Sequence, residues 1–178
     1  GPLAFGGGRG TGCGWREAVF ICGGPPARNG DGAADLQYVH AAARQIAQAL
    51  TGYAVIVTKS TVPVGSSRRI AEIIRATRPD LDFDVASNPE FLREGSAIDD
   101  CMRPDRVIIG LDQKQPERAR RAEAVMQRVY EPLKKIDAPL VFTGLETAEL
   151  TKYASNSFLA MKISFINEMA DLCEKLGA

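Results

Sequence analysis

The stretch Tyr53-Ala54-Val55-Ile56-Val57-Thr58-Lys59-Ser60-Thr61-Val62-Pro63-Val64-Gly65-Ser66-Ser67 decides the fold class. Its first six residues are mostly apolar and β-branched, and they read as a strand buried on both faces. Pro63 and Gly65 break the run. Ser66 or Ser67 then opens a helix in which Ile70, Ile73 and Ile74 keep helical spacing. A buried strand, a short polar loop and a helix in that order form the repeating unit of a parallel sheet.

The same unit recurs on either side. Upstream, the apolar run 18–22 closes on Gly23-Gly24-Pro25-Pro26, and Asp35 can cap a helix reaching about Leu50 through Tyr38, Ala42 and Ile46. Downstream, residues 83–87 and 106–110 read as a third and a fourth strand. Asp99, Asp100, Arg103 and Asp105 between them read as a solvated turn. Pro116 suits the first position of a helix reaching about Tyr130, and residues 140–143 make a fifth strand. The expectation is an α/β parallel sheet covered on both faces. From Glu146 to about Leu176 runs one helical pattern without Pro or Gly. At 1.5 Å per residue it would reach roughly 45 Å. Its apolar residues surround most of the circumference, so it is expected to pack against a second domain, a second subunit or both.

Composition narrows the class. The 178 residues carry 22 Lys+Arg against 22 Asp+Glu, which removes the basic excess that a nucleic-acid surface needs. A domain of this length buries roughly 70% of its unfolded surface, enough for a core without staples. No apolar run approaches the ~20 residues that span a bilayer, and no leader pattern is present, so a soluble, cytoplasmic chain is expected. The four cysteines are scattered without a C-x-x-C pair and there is one histidine, so no metal centre is expected. Cys22 and Cys173 lie in apolar runs and read as buried thiols, the methionines as core filling, and His40 as a surface or satisfied residue.

The chain divides into a glycine-rich head at 1–16, a sheet domain at 17–144 and the long helix at 145–178. Gly1-Pro2-Leu3 looks like the scar of a cleaved tag. The glycines from Gly6 to Gly14 never fall at the first, third and sixth positions of G-x-G-x-x-G, and they precede the first strand instead of following it.

Ligands of open parallel sheets bind beyond the carboxyl ends of the strands, where this chain places polar residues of unusual type. In Lys59-Ser60-Thr61-Val62-Pro63-Val64-Gly65, hydroxyls and a glycine stand before a helix N-terminus. They suit a phosphate or a polarised oxygen, or else Ser60, Thr61 or Ser66 simply caps the helix. In Asn88-Pro89-Glu90-Phe91-Leu92-Arg93-Glu94-Gly95, two carboxylates four residues apart flank Arg93. They offer a general base and a ligand contact, or a solvated turn. Lys152 and Asn156 share a helical face inside an apolar stretch, where an ammonium and an amide can stabilise developing negative charge or merely snorkel to water.

In order along the chain, Gly30-Asp31-Gly32-Ala33-Ala34-Asp35-Leu36, the K-S-T-V-P-V-G loop, the N-P-E-F-L-R-E-G loop and Leu150-Thr151-Lys152-Tyr153-Ala154-Ser155-Asn156-Ser157-Phe158-Leu159-Ala160 resemble the UDP-glucose 6-dehydrogenases, within the wider UDP-glucose/GDP-mannose dehydrogenases. The resemblance covers residues 17–178. It implies a partial Rossmann-like sheet, with the long helix as interdomain connector and dimer core. It also implies NAD as cofactor and the oxidation of UDP-glucose to UDP-glucuronate through a cysteine-bound thiohemiacetal and thioester. Carried across, Thr61 would help place the hydrolytic water, and Glu90 would act as base. Lys152 and Asn156 would stabilise oxyanions, Ser60 and Glu94 would contact NAD, and Phe91, Leu92, Arg93 and Glu94 would line the sugar-nucleotide site. The family's dinucleotide fingerprint and its G-G-S-C nucleophile segment have no counterpart in these residues, and Pro25 stands where an NAD-contacting threonine is expected. The expectation is therefore an internal segment that is not catalytically competent alone. Two alternatives stand beside it: a non-catalytic dimerisation module, or a dehydrogenase acting on GDP-mannose or a UDP-N-acetylhexosamine.

Overall fold

The computed structural model describes residues 17–23, 36–93 and 95–177. Among them, five strands form one sheet in the order β1-β2-β3-β4-β5. These are β1 (Ala18–Ile21), β2 (Ala54–Thr58), β3 (Phe83–Ser87), β4 (Val107–Leu111) and β5 (Leu140–Gly144). Helix α1 (Gln37–Ala49) links β1 to β2, and α2 (Ser66–Thr77) links β2 to β3. A short α3 (Ala97–Met102) precedes β4, and α4 (Pro116–Val129) with a 3₁₀ segment at Glu131–Ile136 leads to β5. The helix α5 (Leu145–Leu176) follows directly.

Every residue of β2, β3 and β4 is buried, as in a sheet covered on both faces; β2 and β4 are near-continuous apolar runs, whereas β3 also buries Asp84 and Ser87. The two faces part by alternation along β2. Ala54 and Ile56 pack with Val39, Ile46, Ile70 and Ile74 of α1 and α2, while Val55 and Val57 pack with Ala122, Val125 and Met126 of α4. Each fully buried Val or Ile contributes about 1.5–3 kcal/mol. Buried Asp84 locks α4 to the sheet by accepting from Arg118 Nε at 2.6 Å, Arg121 Nε at 3.0 Å and the Tyr53 hydroxyl at 2.9 Å.

The sheet departs from the fully parallel expectation at one place. β4 runs antiparallel to β3, pairing Ala86 with Leu111 and Ser87 with Gly110, while the other neighbours are parallel. A parallel return needs a crossover that carries the chain back along the sheet. Between β3 and β4 the only regular element among the described residues is the six-residue α3, so the chain re-enters from the end at which it left. Asp99 and Asp100 therefore sit in a helix and not in a bare turn.

The burial expectations for Cys22, Cys173 and most of the methionines also fail. Cys22 and Cys173 are exposed: Cys22 lies just past the end of β1, and Cys173 lies on the part of α5 that leaves the domain. Of the methionines only Met126 is buried; Met102 and Met161 are 65% and 57% exposed. His40 is half-buried on α1. Asp35 and Pro25 lie outside the described residues.

α5 docks by its first two turns only. Leu145, Ala148, Glu149 and Lys152 are buried, and every residue from Asn156 to Gly177 is exposed. The docking is close because β4 carries Gly110. A Cβ there would stand 2.6 Å from that of Ala148 and 2.8 Å from the Gly144 carbonyl oxygen. No described helix is long and apolar enough to cross a membrane.

Candidate functional site

The docked turns of α5 bring Lys152 against the carboxyl ends of the strands. Its Nζ lies 2.9 Å from Oε1 of Glu90, which stands three residues past the end of β3. The Lys152 side chain is 8% exposed and that of Glu90 28%, so the pair is shielded far more than a surface ion pair and its attraction is correspondingly stronger. The second oxygen of Glu90 accepts the Leu92 N–H at 2.7 Å, which fixes the carboxylate's direction. Burial alone would push the Glu90 carboxyl up. The hydrogen bond from Lys152, the Leu92 N–H and the charges of Lys152 and Lys59 outweigh that and hold its pKa below the usual value. Glu90 is thus a carboxylate at neutral pH, as a general base must be. The Phe91 ring sits beside the pair, with Lys152 Nζ 5.5 Å and the Arg106 guanidinium 5.3 Å from its centroid.

Sequence reading missed the group behind this pair. Asn88 is 1% exposed and donates from Nδ2 to the Ile108 carbonyl of β4 at 2.9 Å. Its Oδ1 accepts from Lys59 Nζ at 3.4 Å and from the Tyr130 hydroxyl. Burial raises the Tyr130 phenol well above its ordinary pKa, so it is a donor throughout the working range. The one available signal was Lys59 itself, a cation directly after a fully buried strand.

The K-S-T-V-P-V-G loop is held from two sides. Ser60 Oγ accepts the Gly23 N–H at 2.9 Å and donates to the Ile21 carbonyl at 3.2 Å, while the half-buried Thr61 hydroxyl joins no hydrogen bond among the described residues. No loop hydroxyl caps α2. The carboxylate of Glu149, 2% exposed on α5, accepts the N–H groups of Gly65 at 2.6 Å and Ser67 at 2.8 Å. A carboxylate at a helix N-terminus satisfies orphan donors and the helix dipole together. The expected phosphate position at α2 is therefore filled by the protein itself.

The other expected site residues are held differently. Arg93 pairs with Asp100 at 2.6 Å, so its charge is engaged by α3, while both Arg93 and Leu92 line the same cavity as Glu90. Leu92 is 37% exposed. Asn156, one turn beyond Lys152, is exposed and its side chain makes no hydrogen bond among the described residues. Glu94 lies outside the described residues. Lys59, Asn88, Glu90, Phe91, Leu92, Arg93, Arg106, Tyr130 and Ser155 are among the residues lining an open cavity of about 410 Å³. A smaller cavity, about 140 Å³, lies at the start of β3 between α2 and α4, where the ion pairs Arg68–Asp112 and Arg118–Asp84 consume its charges.

Residues 12–134 match the NAD-binding domain of the UDP-glucose/GDP-mannose dehydrogenase family, and residues 146–178 match the family's central domain. The chain belongs to this family. It is 59% identical over 162 residues to UDP-glucose 6-dehydrogenase of Rhizobium meliloti, spanning 91% of this chain and 36% of that protein. The UDP-glucose dehydrogenase structure from Pyrobaculum islandicum superposes with a TM-score of 0.75 at 45% identity, covering 86% of this chain and 34% of the other. GDP-mannose dehydrogenase from Pseudomonas aeruginosa, solved as a ternary complex, gives 0.74 at 33% identity, covering 85% and 34%. The chain spans about a third of the length of these relatives. The family oxidises nucleotide sugars with NAD. The described residues fit only part of a dinucleotide cradle: Ser60 stands at the strand ends, but the N-terminus of α2 already holds Glu149.

Proposed function

We propose that the chain is the Glu90/Lys152 half of a UDP-glucose 6-dehydrogenase centre, and that alone it binds sugar nucleotide without turning it over. The reading is carried by the Glu90–Lys152 pair, which joins the N-P-E-F-L-R-E-G loop to the long helix at 2.9 Å. In this reading the Glu90 carboxylate takes the proton of a hydrolytic water that the Thr61 hydroxyl helps to place. The Lys152 ammonium, and Asn156 one turn on, offset negative charge growing on the substrate oxygen. Bound NAD would supply the hydride acceptor, and Ser60 and Glu94 would be its contacts on this chain. UDP-glucose is favoured over GDP-mannose by 59% against 33% identity to the respective relatives.

A second reading rests on α5. Phe158, Leu159, Met161, Ile163, Phe165 and Ile166 are all more than half exposed on a helix that leaves the domain. Apolar exposure on this scale calls for a covering partner. We infer a second copy of the chain, so the helix 145–178 serves as a dimer core alongside the binding function.

Backbone amide shifts on adding millimolar UDP-glucose test the binding reading. Shifts grouped at Glu90, Phe91 and Lys152 are expected. Their absence, with light scattering still reporting a dimer, would leave only the interaction module.

A further inference from the structure

We infer that Lys59 is a third charged member of the Glu90–Lys152 centre: a positioning residue, held by Asn88, that keeps the Glu90 carboxylate ionised and the centre net positive. This deepens the reading of Glu90 as base and rests on it.

The geometry comes first. Lys59 is the first residue past β2, and its backbone N–H is fixed to the Ile21 carbonyl at 3.0 Å. Its side chain runs toward the end of β3, where Nζ reaches Oδ1 of Asn88 at 3.4 Å. Asn88 cannot turn away, because its amide is spent on Ile108 and its oxygen also accepts from Tyr130. The ammonium is thereby parked on the wall of the same cavity as Glu90. Cys22 at the end of β1, Cys101 on α3, Tyr130 after α4 and Lys152 on α5 are the other titratable groups around it.

Charge is the second point. Two ammonium groups act on one carboxylate, and along the cavity wall Arg93, Arg103 and Arg106 outnumber Asp100 and Asp105, so the centre is net positive. In a partly shielded pocket that charge favours a hydroxide or a growing oxyanion. Burial lowers the Lys59 pKa, against the opposing pull of Cys101, Cys22 and Glu90 and with the help of Lys152, whereas its own charge helps to hold Glu90 down. Of the other cations on the cavity wall, Arg106 is engaged with the Phe91 ring and Arg93 with Asp100.

The test is an NMR titration of this chain with ¹³C-labelled glutamate and lysine. Lys59→Met is expected to raise the Glu90 midpoint by roughly 0.5–1 pH unit. Lys59→Arg, which keeps the charge, should leave it near the wild-type value, and Lys152→Met should raise it as well. In the unsubstituted chain the Glu90 carboxyl carbon should show a second, smaller inflection at the pH where Lys59 titrates, and no variant is needed to see it. If Lys152→Met moves Glu90 while Lys59→Met does not, and that inflection is missing, the role of Lys59 is overturned and the proposed function stands. If Lys152→Met also leaves Glu90 unmoved, the acid–base reading of the pair falls with it.

Discussion

The carboxylate of Glu149 accepts the backbone N–H of Gly65 at 2.6 Å across 84 residues of chain. It also accepts Ser67 N–H, so one side chain of α5 holds the start of α2 and the loop that carries Thr61. Lys152 is three residues further along the same helix, and the register of α5 therefore sets the hydroxyl loop and the ammonium together. Gly65 adopts φ 93°, a left-handed conformation that few other residues take without strain.

Glu149→Ala should therefore cost about 2–3 kcal/mol in urea unfolding, because two buried N–H groups lose their acceptor. Glu149→Gln keeps an acceptor oxygen and should lose less. Equal stability of both variants and wild type would show that the cap carries no weight.

The folded pKa of Glu90 is depressed, so the stability it contributes is present above the unfolded value of about 4.3 and lost as pH falls through the folded value. Asp112 and Glu146 are lowered in the same sense by Arg68. Chemical denaturation should show stability falling below about pH 4.3, less steeply in Glu90→Gln. An unchanged slope in that variant would mean that Glu90 does not titrate as an ion pair.

Gly110→Ala should destabilise by about 2–4 kcal/mol, since the added methyl meets Ala148 at 2.6 Å and the Gly144 carbonyl oxygen at 2.8 Å. Its neighbours are backbone and a short side chain, which have nowhere to swing. A thermal midpoint within a degree of wild type would contradict the close docking of α5.

Phe165, 62% exposed on the free part of α5, tests the proposed dimer core. Sedimentation should find a dimer for the unsubstituted chain and a monomer for Phe165→Asp combined with Ile166→Asp. A monomer in both cases would remove the case for a second copy.

Strand positions were legible because buried strands favour short apolar, β-branched runs, which β2 and β4 supply, and β2 to β4 fall within a residue of the expected limits. Glu90 and Lys152 were legible as candidates because a carboxylate in a strand-end loop and a cation in an apolar helix each need a reason. The ion pair of Arg93 was not legible, because nothing local reveals that Asp100 waits one helical turn into α3. Cys22 and Cys173 misled for a related reason. Apolar neighbours in sequence predict burial only if something covers the segment, and the far part of α5 is uncovered among the described residues.

The sequence by itself determined the alternation of strand, loop and helix, the length of α5 and the identity of the chemical groups at the strand ends, since each depends on neighbours within a few residues. Tertiary structure alone decided the direction of β4, the Glu149 cap and the attachment of Lys59 and Tyr130 to Asn88. Those arise from contacts between residues 23 to 84 positions apart. Only packing chooses among the partners that short-range pattern leaves equally available.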